Sequence, residues 1–506
     1  MAQKRTPKGA PDPLELDVDI ADFGPISRGR FKIKPLTILI GPNNSGKTYA
    51  AMLVHTVFTS HMATAAYWFM PRHVKSQILK PEFRSMAREV DRLLGKKPNG
   101  NGYAVIPSGL VNKIYKMIFQ NVETHFSQAL ANNFGLKPHS LVRIGASSSK
   151  LSIRSNNNFS ATISKKTNAI HSHQQCEYLI KRKTDRFLIR PSHMEDPKFD
   201  KFVSLINTRS YGAIGQISKD LPRGAEDGTI ALLTLMLHIL YMSGEHIPFR
   251  SYYFPAARSG IMQAYRAVVS GSKQPRVPSS DQTTPSEVSG VLSSFVASVL
   301  NTEPKNSAAF RPVGESVESQ LFEGEMLVSN PAIGTPEIFY RFMKRDIPAH
   351  IFSSSIAEIS PLSMFLRSDL QKGDMLIIEE PDAHLHPANQ LILAKHLVSL
   401  IRRGVRILLT THSVFFLEQL SIFVKLGSLT SEQRKRHGRG ADDFLLDDEV
   451  APFVFKKISK GNHTIKEIPH SATEGISQEE FVSIDIDMYN MDLNIDDMIQ
   501  SNKGEN

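Results

Sequence analysis

Gly41-Pro-Asn-Asn-Ser-Gly-Lys-Thr48 is the stretch on which the reading of this chain turns. It satisfies G-x-x-x-x-G-K-[ST] at every fixed position. Leu36-Thr-Ile-Leu-Ile40 before it reads as a buried strand, and Tyr49-Ala-Ala-Met-Leu-Val-His-Thr-Val-Phe58 after it reads as a helix. Strand, glycine loop and helix in that order cradle phosphate. Gly41 and Gly46 let the backbone curl tightly enough to aim N–H groups at phosphate oxygens, and the helix N-terminus adds partial positive charge. Gly41, Pro42, Asn43, Asn44, Ser45, Gly46, Lys47 and Thr48 are therefore the candidate nucleotide contacts. Lys47 reaches the β- and γ-phosphates, and the Thr48 hydroxyl is a ligand for Mg²⁺.

A second stretch supplies the carboxylates such a site needs. In Asp374-Met-Leu-Ile-Ile-Glu-Glu-Pro381 four apolar residues carry two glutamates to the end of a buried strand. Ligands collect at the carboxyl ends of strands in open α/β sheets. Glu379 is placed to bind Mg²⁺, directly or through water, and Glu380 to orient and polarise the attacking water. Asp382-Ala-His-Leu-His-Pro387 follows at once. Next comes a helix over residues 388–403 with Leu391, Ala394, Leu397, Val398 and Ile401 on one side, and then another buried strand, Val405-Arg-Ile-Leu-Leu-Thr410. His412 lies just past that strand, where it can donate a hydrogen bond to a γ-phosphate.

This order of motifs resembles the ABC-type ATPases, in the branch with RecF-like, SMC-like and OLD (overcoming lysogenisation defect) proteins. Residues 41–48 resemble the Walker A loop. Residues 376–380 resemble Walker B, with Glu379 where many such proteins carry Asp. Residues 381–387 resemble the D-loop, and His412 the switch histidine. Glu379-Glu-Pro-Asp-Ala-His-Leu-His-Pro387 with Thr410-Thr-His-Ser413 is close to the OLD-like bacterial pattern. Residues 14–23 and 29–34 read as strands around a Gly-Pro turn, a β-meander ahead of the loop as in ABC-type proteins. The resemblance covers about 15–60 and 320–425.

The resemblance implies an α/β fold: a P-loop NTPase head of ABC type, a mixed sheet flanked by helices, with a large mainly helical insertion. It also implies a mechanism. Two heads close on two ATP molecules, each held between one Walker A loop and the signature segment of the other head. At the spacing of that segment stands Ser353-Ser-Ser-Ile-Ala-Glu-Ile-Ser-Pro-Leu362, which lacks the usual glycine pair. Ser353, Ser354 and Ser355, at a helix start, are its candidate γ-phosphate contacts. OLD nucleases carry a Toprim domain with a glutamate after one strand and D-x-D after another. Here Asp485-Ile-Asp487 has no such partner strand, so a nuclease is not expected in this chain.

The remaining chain divides accordingly: a basic, Pro-rich tail over 1–13, an N-terminal lobe of the head over 14–59, and a mainly helical insertion with a β-hairpin over 60–245. The C-terminal lobe spans 246–430, closing strands and a helix 431–490, and a polar tail 491–506. Within the insertion, residues 110–133 read as one helix with Val111, Ile114, Ile118, Val122, Phe126 and Leu130 in a stripe, stopped at Gly135. Residues 141–144, 150–155 and 159–164 alternate as strands, and helix returns up to about 244. Arg250-Ser-Tyr-Tyr-Phe-Pro-Ala-Ala-Arg-Ser-Gly260 reads as a strand entering a loop. The charge runs Arg434-Lys-Arg436 and Asp447-Asp-Glu449 read as solvated loops.

Composition bounds the rest. With 506 residues there is chain for more than one domain. The net charge of +10 permits DNA or another acidic partner, but the basic residues are spread along the sequence. The single cysteine, Cys176, excludes an internal disulfide and suits a reducing cytoplasm. His171-Ser-His-Gln-Gln-Cys176 lacks the second cluster a zinc site needs. The apolar run over 230–242 is shorter than the ~20 residues that span a bilayer, so no membrane partner is expected. The expectation is a cytoplasmic ATP- and Mg²⁺-dependent ATPase that pairs with itself and controls a separate effector, such as a nuclease, in anti-phage defence. A DNA-repair or DNA-maintenance ATPase of the RecF or SMC type is the alternative. A scaffold that holds ATP without turnover conflicts with Glu380 and His412.

Overall fold

The computed structural model describes residues 16–68, 76–95, 104–119, 122–154, 158–164, 168–173, 178–183, 186–191, 229, 231–233, 235–236, 250–272, 289–302, 308–329, 336–368, 370–479 and 491–495. The chain begins with β1 (Leu16–Phe23), β2 (Ile26–Ile33) and β3 (Leu36–Ile40), then α1 (Lys47–Trp68) and α2 (Pro81–Leu94). β4 (Ala104–Ile106), α3 (Ser108–Phe119) and α4 (Val122–Phe134) lead to β5 (Ser148–Arg154), β6 (Asn158–Ser164), β7 (Asn168–His173), β8 (Tyr178–Lys183) and β9 (Arg186–Pro191). The second half holds β10 (Ser251–Phe254), α5 (Arg258–Ser272), α6 (Gly290–Leu300), α7 (Arg311–Leu321), β11 (Glu325–Ser329), β12 (Glu337–Phe342) and β13 (Arg345–Pro348). It continues with α8 (Ser354–Leu366), β14 (Met375–Glu379), α9 (Pro387–Arg402), β15 (Arg406–Thr411), α10 (Val414–Leu426), α11 (Ser431–Arg436), β16 (Val450–Ser459) and β17 (Asn462–Glu467).

Eleven strands form one mixed sheet in the order β10-β14-β15-β3-β16-β17-β2-β1-β5-β6-β7. Its first five strands run parallel. Both faces of this parallel part are covered, which explains why its strands are uninterrupted apolar runs. Leu376 and Ile378 of β14, Ile407 and Leu409 of β15, and Ile38 and Ile40 of β3 pack on one face with Leu397, Phe416 and Leu420. Met375, Ile377, Leu408 and Leu39 pack on the other with Ala51, Val54 and Phe58 of α1. The antiparallel wing alternates instead: Leu16, Val18 and Ile20 are buried, while Asp17, Asp19 and Ala21 face outward.

Several elements depart from the sequence-based expectation. The mainly helical insertion over 60–245 is a mixture of helix and strand. Its described part holds β4 to β9, and the expected return to helix is replaced by strand over 168–173, 178–183 and 186–191. The edge of β1 pairs antiparallel with β5 from Asp17↔Arg154 to Ala21↔Lys150, so β5 to β7 continue the main sheet, while β8 and β9 pair with β4 in a separate three-stranded sheet. The helix expected over 110–133 appears as α3 and α4, with residues 120 and 121 outside the described ones. Val111 and Ile114 pack with Phe83, Val90 and Leu232, whereas Phe126 and Leu130 join α1. Gly135 follows α4 at φ +63°, a left-handed helix stop. Cys176 and residues 480–490, which include Asp485 and Asp487, lie outside the described residues.

Each of the two charge runs buries one member, Arg434 and Glu449, while Lys435, Arg436 and Asp448 stay exposed as expected. Arg434 is buried and donates to the carbonyls of Leu426 at 3.1 Å and Ala441 at 3.0 Å. Both Arg434 and Arg402 lie over the Phe444 ring, and Arg402 pairs with the buried Glu449. The closing strands are not at an edge either. β16 pairs in parallel with β3, Val450↔Leu36 to Val454↔Ile40, and sits inside the sheet. Phe455→Ala should therefore cost about 3–5 kcal/mol, as for a buried aromatic, and lower the denaturant midpoint. Ile458→Ala, on the same strand but exposed, should change stability by no more than ~0.5 kcal/mol. Equal midpoints for the two variants would contradict the central placement of β16.

Candidate functional site

The parallel strands end in register. Phe254 pairs with Ile378, Glu379 with Thr410, and Thr411 with Ile40. This brings the loop after β3, the two glutamates after β14 and His412 after β15 to one edge of the sheet. The loop at 41–46 fits there because it lacks side chains at two places. A Cβ on Gly41, whose φ is +147°, would stand 2.7 Å from the Phe455 carbonyl oxygen. One on Gly46, at φ +103°, would stand 2.7 Å from Ile26. Asn44 takes a left-handed turn at φ +60°, which asparagine tolerates.

Lys47 opens α1 and folds back over the loop. Its Nζ donates to the carbonyls of Gly41 and Pro42, both at 2.8 Å. Burial lowers its pKa to about 8, opposed by the charges of Glu380 and Glu379. The Ser45 hydroxyl is buried and has no hydrogen-bond partner within the protein, and Thr48 stands exposed beside it. Glu379 is buried; one carboxylate oxygen accepts from the Ala256 N–H at 3.1 Å, and the other has no hydrogen bond in place. Burial, then the nearby Glu379 charge, raises the Tyr253 hydroxyl well above its ordinary pKa. An orphaned carboxylate oxygen and a free threonine hydroxyl suit a hard divalent cation, so Glu379 and Thr48 fit Mg²⁺.

Glu380 sits at φ +44°, an unusual backbone for glutamate. Its N–H donates to the Thr410 carbonyl at 2.8 Å, which fixes the turn to β15. Its carboxylate lies 3.1 Å from His412 Nε2. Burial lowers the His412 pKa, and the Lys47 charge lowers it further against the pull of Glu380 and Asp382. Both influences favour the neutral imidazole, which can present Nε2–H to the carboxylate. Asp382, raised in pKa chiefly by burial, accepts from the Thr411 hydroxyl at 2.7 Å and ties the turn after β14 to the end of β15.

The serines at 353–355 stand apart from this cluster. Ser353 caps α8, accepting from the Ile356 N–H at 3.4 Å, and lies 3.3 Å from the Ser355 hydroxyl. Among the described contacts none joins these serines to residues 41–48, 379–380 or 412. Sequence reasoning missed Arg258. Its side chain is only 2% exposed, yet it reaches the carbonyls of Pro255 at 2.9 Å and Glu380 at 3.0 Å, that of Glu379, and the buried carboxylate of Glu358. Only its place after Tyr-Tyr-Phe-Pro, at the end of an apolar strand, hints at this.

A family model described as "AAA domain, putative AbiEii toxin, Type IV TA system" matches residues 270–418, well under half of the chain. That span includes Glu379, Glu380 and His412. No curated protein matches the chain. Among solved structures, an SMC head bound to the C-terminal winged-helix domain of ScpA is 11% identical, with a TM-score of 0.36, and covers 93% of this chain and 100% of that one. The SMC head domain from Thermotoga maritima is 10% identical, with a TM-score of 0.31, and covers 90% and 99%. An SMC head from Pyrococcus furiosus bound to the C-terminal domain of ScpA is 9% identical, with a TM-score of 0.35, and covers 94% and 100%. Phosphate loop, paired glutamates and the match over residues 270–418 agree on a P-loop ATPase domain.

Proposed function

We propose that this protein is an ATP-driven dimerising switch whose heads close on two nucleotides and control a separate effector. The observation that carries the reading is the split of the site. Residues 41–48, Glu379, Glu380 and His412 gather at one sheet edge, while the exposed serines at 353–355 point to no phosphate loop of their own chain. A second protomer completes the site by bringing its serines over the γ-phosphate. Control of an effector in anti-phage defence is supported by the sequence likeness to OLD-like proteins.

In this reading the loop N–H groups, the Ser45 hydroxyl and Lys47 hold the β- and γ-phosphates. Thr48 and Glu379 hold Mg²⁺, which when bound offsets charge on the phosphate oxygens. Glu380 leaves its hydrogen bond with His412 to accept a proton from the attacking water. The freed His412 Nε2–H then turns to the γ-phosphate. Hydrolysis removes the anion that both protomers share, and the heads part.

One observation favours direct DNA contact as a second reading. The outward face of β17-β2-β1-β5 carries Lys466, Arg28, Arg30, Lys32 and Lys150 against Asp17 and Asp19. Arg30 is held by those two aspartates. Duplex affinity that falls steeply with salt and is lost in Arg28→Glu/Lys466→Glu would support it. Salt-independent or undetectable binding would leave the effector-controlling reading alone.

Two outcomes test the main reading. Glu380→Gln should retain ATP affinity, lose turnover by about 10²–10⁴-fold, and show an ATP-dependent rise in mass in solution. Wild-type turnover would move the base elsewhere, and a mass that ignores ATP would remove the sandwich. Lys47→Ala should abolish ATP binding. In the wild type, ATP affinity should weaken as pH rises above about 8, because the ammonium in the free protein titrates there. Lys47→Arg, which stays charged, should show no such step; a wild-type affinity flat from pH 7 to pH 9 would contradict this role of Lys47.

A further inference from the structure

We propose that Arg258 is a positioning residue that links the catalytic turn of one protomer to the serines it offers its partner; this rests on the ATP-sandwich reading above. Arg258 opens α5 and is buried among backbone oxygens. Its Nε donates to the Glu358 carbonyl at 3.2 Å, and Nη1 to the carbonyls of Phe254 at 3.4 Å, Pro255 at 2.9 Å and Glu379. Nη2 donates to the Glu380 carbonyl at 3.0 Å and pairs with the Glu358 carboxylate. One planar guanidinium thus holds the ends of β10 and β14 and the body of α8. A lysine offers no such fork.

Glu358 makes the link directional. It is fully buried in α8, five residues after the Ser353 cap, and its other oxygen accepts from the Ser259 N–H at 3.1 Å. At the far end of the same helix Arg367 is buried against Glu318, with contacts of 3.0 and 2.8 Å, and against the Met326 carbonyl at 3.1 Å. Residues 357–366 are buried, so only the first turn with its serines meets solvent. A helix pinned at both ends moves as a body. The Glu380 peptide that Arg258 grips belongs to the residue whose side chain bonds His412. When Glu380 exchanges that bond for the attacking water, its strained peptide shifts, and the shift passes through Arg258 and Glu358 to the serine cap.

A purely structural ion pair would behave differently. Losing it would lower thermal stability and ATP affinity together, without regard to nucleotide. The linking role predicts a split. Glu358→Gln keeps the shape of the side chain and leaves residues 41–48 untouched. In a Glu380→Gln background it should bind ATP within about threefold of its parent yet lose about tenfold or more in ATP-dependent dimer affinity, the range of a usual coupling between sites. Arg258→Lys should do the same. Hydrogen exchange gives a second readout on the same proteins. ATP should change amide protection over residues 354–359 in Glu380→Gln, and the change should vanish in both double variants.

The outcomes separate the two claims. If Glu380→Gln dimerises with ATP and the double variants dimerise as readily, the link through Arg258 is wrong and the sandwich stands. If Glu380→Gln does not dimerise, the sandwich falls, and exchange over 354–359 decides the link: a nucleotide-dependent change abolished by Glu358→Gln upholds it, and no change overturns it. Failure of both double variants to bind ATP or to fold assigns the pair to structure alone and overturns the link.

Discussion

The register of five parallel strands is the constraint on which the rest of this molecule depends. β3 lies between β15 and β16, and each of its residues is matched on both sides, so Ile40 lies level with Thr411 and Val454 and the chain leaves the sheet at Gly41. A slip of one residue would exchange the two faces and send Leu39 to the side of Ile38 and Ile40. It would also withdraw Gly41 from Phe455, where no Cβ fits. Hydrophobic burial on both faces therefore sets the position of a polar site that contributes little to it.

Charge at that edge is tightly packed. Lys47, Glu379, Arg258 and Glu358 are buried there, Glu380 and Asp382 are half-buried, and His412 is open to water. Burial opposes the charged forms of Lys47, Arg258, Glu358, Asp382 and His412, and nearby opposite charges partly offset it. The consequences are uneven. Lys47 drops to about 8, His412 is pushed downward, and Asp382 and Glu358 are pushed upward, all chiefly by burial. A site poised in this way responds strongly to the arrival of a polyanion and a divalent cation. Ser353 and Ser354, by contrast, are exposed and neutral.

Legibility in the sequence followed the range of each interaction. The phosphate loop, the paired glutamates and His412 are local in sequence: a strand of four or five apolar residues followed by polar ones announces its own carboxyl end. Those residues do meet at one edge. Arg258 gave little local sign, since its partners at Glu358, Glu379 and Glu380 are about 100 or more residues away and most of its acceptors are backbone carbonyls that any sequence provides. Arg434 and Glu449 misled for a different reason, because composition alone does not show what folds over a charge. A charge run looks solvated until Phe444 and the helix-end carbonyls are brought against it.

The sequence by itself determined the α/β class, the order of strand, loop and helix around Lys47, and the chemistry available from residues 41–48, 379, 380 and 412. These follow from apolar periodicity and from side-chain types at fixed short spacing. Tertiary structure alone decided that β16 enters the middle of the sheet, that strands β5 to β7 extend it from the edge of β1, and that a buried arginine joins the catalytic turn to α8. Each is a pairing between distant segments, and backbone hydrogen bonding carries no sequence label. Which edge a strand joins depends on which edges the rest of the fold leaves open.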